Sequence, residues 1–171
     1  MIIGIGGVSR AGKTKLARRL QKYFRQQGRS VRLLHQDEFA FPESEIPKVK
    51  GRVDWEHPGS IDFSRFRESI VKASQQYDVV IAEGLMAFCD EETNRLYEKC
   101  FFVEISKPTF LRRKAADQRW GEEPEWYVEH IWESYLKYGV PVEWPAPVLR
   151  LSGEVRLDWE AAIRFLEKGP E

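Results

Sequence analysis

Residues 7–14 read Gly-Val-Ser-Arg-Ala-Gly-Lys-Thr and directly follow the apolar run Met1 to Ile5. The spacing fits G-x-x-x-x-G-K-[ST], the P-loop pattern that binds phosphate. A polyphosphate is held there by backbone N–H groups, and Gly7 and Gly12, lacking Cβ atoms, keep the loop open to it. Gly7, Ser9, Ala11, Gly12, Lys13, Thr14 and Lys15 are therefore the candidate nucleotide-binding residues. Lys13 is expected to reach the β- and γ-phosphates and Thr14 to put its hydroxyl on Mg²⁺, while the helix opening here points its positive end at the anion. The bland alternative is a strand-to-helix turn with a solvated lysine, but the required strand before and helix after are both legible. Gly4, Gly6 and Gly7 do not make G-x-G-x-x-G, since Ser9 stands three residues after Gly6. A dinucleotide fold is disfavoured.

The elements around this loop are read from periodicity and breakers. Leu16, Leu20, Tyr23 and Phe24 lie at helical spacing, and Gly28 marks the stop. Val31 to His35 reads as a buried strand ending at Gln36-Asp37-Glu38-Phe39. In an open parallel sheet, ligands bind beyond the carboxyl ends of the strands, which brings Asp37 to the edge that carries the P-loop. Ala40 to Ile61 is loop-like, broken by Pro42, Pro47, Gly51, Pro58 and Gly59. Asp62 is placed to cap a helix that buries Phe63, Phe66, Ile70 and Ala73. Asp78 to Ala82 is a strand running into Glu83-Gly84, a carboxylate in the Walker-B arrangement, although an acid after a strand is by itself more often surface punctuation.

Further strands are expected at Phe101 to Ile105 and Val148 to Leu151, and helices at Pro108 to Arg119, Glu122 to Tyr138 and Asp158 to Lys168. The basic residues Arg112, Arg113, Lys114 and Arg119 are either a solvated helix face or, beside a P-loop, a lid bringing arginines to phosphate. The alternation predicts one α/β layered domain with a parallel sheet, spanning 1–171, with a lid at about 108–125. A chain of 171 residues is long enough to bury about 70% of its unfolded surface. Lys plus Arg and Asp plus Glu are 27 each, so no whole-chain field points to nucleic acid or a membrane surface. Cys89 and Cys100 form no C-x-x-C, and without a signal-peptide pattern or long apolar run they read as reduced thiols of a cytoplasmic protein. Nothing in the pattern specifies an oligomeric state.

Taken together, Gly7 to Thr14, Gln36 to Phe39, Trp55-Glu56-His57-Pro58, Glu83-Gly84 and the arginines after Pro108 resemble the uridine kinase superfamily of P-loop nucleoside kinases. Pro42 to Pro47, and His130-Ile131-Trp132 followed by Tyr135 to Tyr138, look most like its nicotinamide riboside kinases. The resemblance implies a P-loop NTPase three-layer fold with a five-stranded parallel sheet in 2-3-1-4-5 order and a helical lid. It also implies Mg²⁺- and ATP-dependent phosphorylation of a ribose 5′-hydroxyl on nicotinamide riboside, uridine or cytidine. Asp37 matches the acid that takes the hydroxyl proton, with Lys13, Arg112, Arg113 and Arg119 as the catalytic cations. Glu83 matches the acid that, with Thr14, helps hold hydrated Mg²⁺. Ser152-Gly153-Glu154 stands where the family passes the adenine, and a plain surface turn is the alternative.

The candidate acceptor-binding residues are Asp37, Phe39, Trp55 and Glu56. Two of these neighbourhoods depart from the family pattern. Glu56 replaces the usual Asp that binds the ribose diol, and its extra methylene pushes the carboxylate outward. Phe39 is followed by Ala40 and Phe41 rather than by a second aromatic and Lys, so Trp55 is the candidate to stack on a base. Trp120 or Trp126 either opposes it or packs in the core or lid. His57 and His130 read as structural, and His35 lies in its strand. The competing function is a P-loop regulatory NTPase, or a kinase-like protein with a non-nucleoside acceptor or none. Against a GTPase form, the chain has no Asn-Lys-x-Asp.

Overall fold

A computed structural model describes residues 1–117, 121 and 123–168. The strands are β1 (Ile2–Gly7), β2 (Val31–His35), β3 (Lys48–Val49), β4 (Arg52–Val53), β5 (Val79–Glu83), β6 (Lys99–Glu104) and β7 (Val148–Ser152). The helices are α1 (Lys13–Gln26), α2 (Phe63–Ser74), α3 (Glu91–Asn94), α4 (Lys107–Ala115), α5 (Glu125–Ser134) and α6 (Trp159–Glu167). Five strands pair in parallel in the order β2-β5-β1-β6-β7, which is 2-3-1-4-5 when only this sheet's strands are counted.

Central strands reach near-complete burial because helices cover both faces, so they read as apolar runs rather than alternating ones. Every residue of β5 is buried. The two faces are separated most clearly at β6, where the Phe101 ring packs 5.2 Å from Phe165 of α6 and the next residue, Phe102, packs 5.1 Å from Trp144. Helices α1 and α6 share the first face, with Tyr23 edge-on to Trp159 at 5.8 Å. Phe88, Tyr97 and Trp144 fill the second. Asp62 caps α2 as its position predicts, accepting from the Arg65 N–H at 2.9 Å. Both cysteines are free thiols, with Cys100 buried in β6. No helix among the described residues is long and apolar enough to cross a membrane.

Four elements differ from the sequence reading, the simplest being α4, which ends at Ala115 instead of running on toward Arg119. β6 starts at Lys99, two residues before Phe101, because its charge is consumed locally: Nζ donates to the carbonyls of Phe165 and Lys168, both at 2.5 Å, closing the end of α6. The loop from Ala40 to Ile61 contains the antiparallel hairpin β3–β4, turned by Lys50 (φ 48°) and Gly51 (φ 80°). Two left-handed residues make a type I′ turn, and Lys-Gly lacks the Asn-Gly or Asp-Gly signature by which such turns are read. The helical stretch expected at Glu122 to Tyr138 starts after Pro124 and ends as a π-helical turn, Tyr135–Gly139. That wide turn stacks Tyr135 against Phe102 at 6.2 Å and presses Gly139 onto the Leu85 carbonyl, where a Cβ would come within 2.8 Å.

Candidate active site

The phosphate loop takes the shape its glycines permit. Gly7 has φ 138°, and a Cβ there would meet the Val103 carbonyl oxygen at 2.3 Å. Gly12 sits in the left-handed region at φ 112°, immediately before α1. Lys13 curls back over the loop, Nζ donating to the Val8 carbonyl at 3.1 Å, while Ala11 is buried and Ser9 half-buried. Arg10, Lys13, Lys15, Arg18 and Arg113 surround a cleft of 710 Å³ at this end of the sheet. Five cations and the amino end of a 14-residue helix favour a polyanion there. Arg18 was not singled out from the sequence; it lies one helical turn after Thr14, and that i, i+4 relation is the signal that finds it.

Thr14 and Glu83 come together as their separate motifs suggest. Strand register sets Glu83 level with Ile5 and His35. Thr14 Oγ1 donates to Glu83 Oε1 at 2.7 Å, and His35 Nδ1 lies 2.7 Å from the same oxygen. Glu83 is 6% exposed, so a hydroxyl and an imidazole are what make its burial tolerable. Among the described residues no group of three or more His, Cys, Asp or Glu could hold a metal unaided. One hydroxyl and one carboxylate fit Mg²⁺, which keeps most of its waters and takes the remaining oxygens from substrate phosphates.

Asp37 stands on a 3₁₀ turn, Gln36–Phe39, at the end of β2. Its neighbour Gln36 fixes that turn: Nε2 donates to the Met86 carbonyl at 3.0 Å and Oε1 accepts from the Met86 N–H at 3.1 Å. Asp37 keeps an open side toward solvent, yet the protein around it raises its carboxyl above the ordinary range by desolvation, with the Lys13 ammonium pulling the other way. Glu56 is half-buried and is pushed up to about 7, first by desolvation and then by the Asp37 carboxylate; Lys114 and Lys13 oppose the rise. Asp37, Glu56, Lys13 and Lys114 thus share one electrostatic neighbourhood.

The remaining candidates fall at different depths. Trp55 is 41% exposed. Phe39 instead turns into the core, its ring 5.1 Å from Phe66 and covered by the Arg65 guanidinium. Arg113 lines the cleft and donates to the carbonyls of Arg10 and Gly153 at 3.1 and 2.7 Å, tying α4 to the phosphate loop and to the turn after β7. Arg112 is exposed, donates to Thr109 Oγ1 at 3.3 Å and does not line that cleft. Arg119 and Trp120 lie outside the described residues. Trp126 packs under the Lys50 ammonium at 4.8 Å. Lys114, read only as part of a basic run, is buried and paired with Glu123 at 2.6 Å. Phe110 and Lys114 share the inward face of α4 at i, i+4, the one hint the sequence holds.

This arrangement of a phosphate loop, a strand-end carboxylate on the loop's threonine and a second carboxylate within electrostatic reach of the loop's lysine can be set against known proteins. No family model matches the sequence. The chain is 28% identical over 154 residues to nicotinamide riboside kinase 1 of Homo sapiens, covering 80% of this chain and 75% of that one. It is also 28% identical over 143 residues to the uridine kinase of Leuconostoc citreum, covering 68% of each. Its relatives are nicotinamide riboside kinases and uridine kinases. The fold agrees: a possible uridine kinase from Bacillus stearothermophilus superposes with a TM-score of 0.56 at 18% identity, over 87% of this chain and 88% of that one. The resemblance read from the P-loop, the Gln-Asp-Glu-Phe run and the Glu83-Gly84 strand end therefore holds across most of the sequence.

Proposed function

We propose that this chain is a nucleoside kinase that uses Mg²⁺ and ATP to phosphorylate the 5′-hydroxyl of a ribonucleoside such as nicotinamide riboside, uridine or cytidine. The observation that carries the reading is the position of Asp37: Gln36 fixes its turn at the end of β2, within electrostatic reach of Lys13, which itself lines the cation-rich cleft. The acceptor hydroxyl attacks the γ-phosphorus, the bond from that phosphorus to the β,γ-bridging oxygen breaks, and the hydroxyl proton passes to Asp37. A carboxylate with a raised pKa holds that proton better than a solvated one would. Lys13 and Arg113 stabilise charge on the phosphoryl oxygens and the leaving ADP. Glu56 and Trp55 bind the acceptor through its diol and base. Thr14 and Glu83 would hold Mg²⁺, which neutralises phosphate charge when bound.

Acceptor-dependent ADP release with Mg-ATP, run across nicotinamide riboside, uridine, cytidine and adenosine, tests the proposal. One or more of the first three is expected to stimulate release. Asp37→Asn is expected to lower that rate by about 10²–10⁴-fold while leaving ATP binding nearly unchanged. ATP hydrolysis that no nucleoside accelerates would overturn the assignment and favour a regulatory NTPase.

A further inference from the structure

The turn that carries Trp55 and Glu56 is held from outside the cleft. Its backbone closes on itself, the His57 N–H donating to the Asp54 carbonyl at 3.3 Å. Within it, Asp54 Oδ1 accepts from the Glu56 N–H at 3.2 Å, an Asx turn that fixes the direction in which Glu56 leaves the chain. Asp54 is only 6% exposed, and a buried carboxylate needs more than one amide. The second partner is His130 of α5, whose Nε2 lies 2.8 Å from the same Oδ1. A carboxylate can only accept, so Nε2 carries the proton.

The hairpin leading into this turn docks on the same helix. The Lys50 ammonium lies 4.8 Å above the Trp126 ring, the Arg52 guanidinium 4.8 Å above the Tyr127 ring, and the Tyr127 hydroxyl 3.5 Å from the Val53 carbonyl. Helix α5 supplies no residue to the phosphate cleft. Its Glu129 pairs with Lys107 of α4, and its His130 goes to the turn.

We propose that Asp54 and His130 form a positioning pair that aims Glu56 and Trp55 at the acceptor and sets acceptor affinity independently of the donor. The kinetic consequence rests on the kinase reading; the structural one does not. His130→Ala leaves the buried Asp54 carboxylate short of a partner and frees the turn. It is expected to raise the acceptor KM about tenfold, with the ATP KM and kcat within about twofold of wild type. His130→Gln can still donate an amide N–H to Asp54 and is expected to restore the acceptor KM to within about twofold. Hydrogen exchange at the Glu56 amide is expected to speed up in His130→Ala and to return toward wild type in His130→Gln.

A folded His130→Ala variant with unchanged acceptor KM and unchanged exchange would overturn the proposal, as would an equal rise in both KM values. Should His130→Ala fail to fold, Asp54→Asn keeps the shape and removes the charge. A rise of a few fold in acceptor KM alone supports the pair, and an unchanged value overturns it. Wild-type turnover that no acceptor stimulates would sink the kinase reading, while exchange at the Glu56 amide would still decide whether the pair holds the turn.

Discussion

In the proposed kinase, Glu56 trades stability for acceptor recognition. Its carboxyl is displaced from 4.5 to about 7 in the folded protein, by desolvation first and by the Asp37 charge second. Between those values the folded state binds more protons than the unfolded one, so this group's contribution to stability falls as pH rises. Glu56→Gln stays neutral throughout and removes that dependence. Thermal melts are expected to find the variant close to wild type at about pH 5 and more stable than wild type at about pH 8. Acceptor binding should move the opposite way: the wild-type acceptor KM improves as the carboxylate forms near pH 7, and the variant gains nothing. A variant less stable than wild type at the higher pH would refute this account of Glu56. The sequence named Glu56, Asp37, Thr14 and Glu83 because motifs mark them. It gave Gln36 and Asp54 no role of their own and read Lys114 only as part of a basic run, because their contacts are with partners 50, 76 and 9 residues away. Phe39 shows the converse: the motif marks it from its neighbours in sequence, while its packing against Phe66, 27 residues away, is set by the fold.

At the scale of elements, the main strands and helices were legible because apolar periodicity is a local property of the chain. The hairpin at Lys48–Val53 and the π-helical turn were not, because a type I′ turn on Lys-Gly and a wide turn on Tyr135–Gly139 are set by what they dock against. The turn after β7 makes the same point with a measurable consequence. Read as either an adenine contact or a plain surface turn, it packs directly on the phosphate loop: a Cβ on Gly153 would meet the Ala11 carbonyl oxygen at 2.3 Å. That atom is backbone in a loop already committed by Gly7 and Gly12, so it cannot swing aside as a flexible side chain would. Arg113 bridges the same two segments. Gly153→Ala is therefore expected to cost about 1–3 kcal/mol of stability, as overpacking does, and to raise the ATP KM while the acceptor KM stays near wild type. Thermal melts with a KM-against-KM comparison check both halves; an ATP KM that does not change would show that the turn and the loop move independently.

Across the whole molecule, the strand order gathers groups from distant parts of the chain at one edge of the sheet. β1 delivers the phosphate loop, β5 delivers Glu83 beside it, β2 delivers Asp37, and β7 with α4 closes the far side through Gly153 and Arg113. A nucleotide in this cleft would touch the phosphate loop, α4 and the segment after β7, three parts far apart in the chain, so its binding energy is expected to appear as global stability rather than as local ordering. At about a hundred times its dissociation constant, a ligand that binds only the folded state adds about 2.7 kcal/mol. For a chain of this length that corresponds to a rise of about 5–11 °C in the melting temperature. If Thr14 and Glu83 take part through Mg²⁺, EDTA should shrink the rise produced by the same ATP concentration. Thr14→Val should shrink it to a similar extent and make it insensitive to EDTA. It also leaves Glu83 with His35 as its hydrogen-bonding partner, so the unliganded protein should melt lower as well, by the cost of one lost buried hydrogen bond. An ATP-induced shift of equal size with and without EDTA in the wild-type protein would mean that the Thr14–Glu83 contact is purely structural.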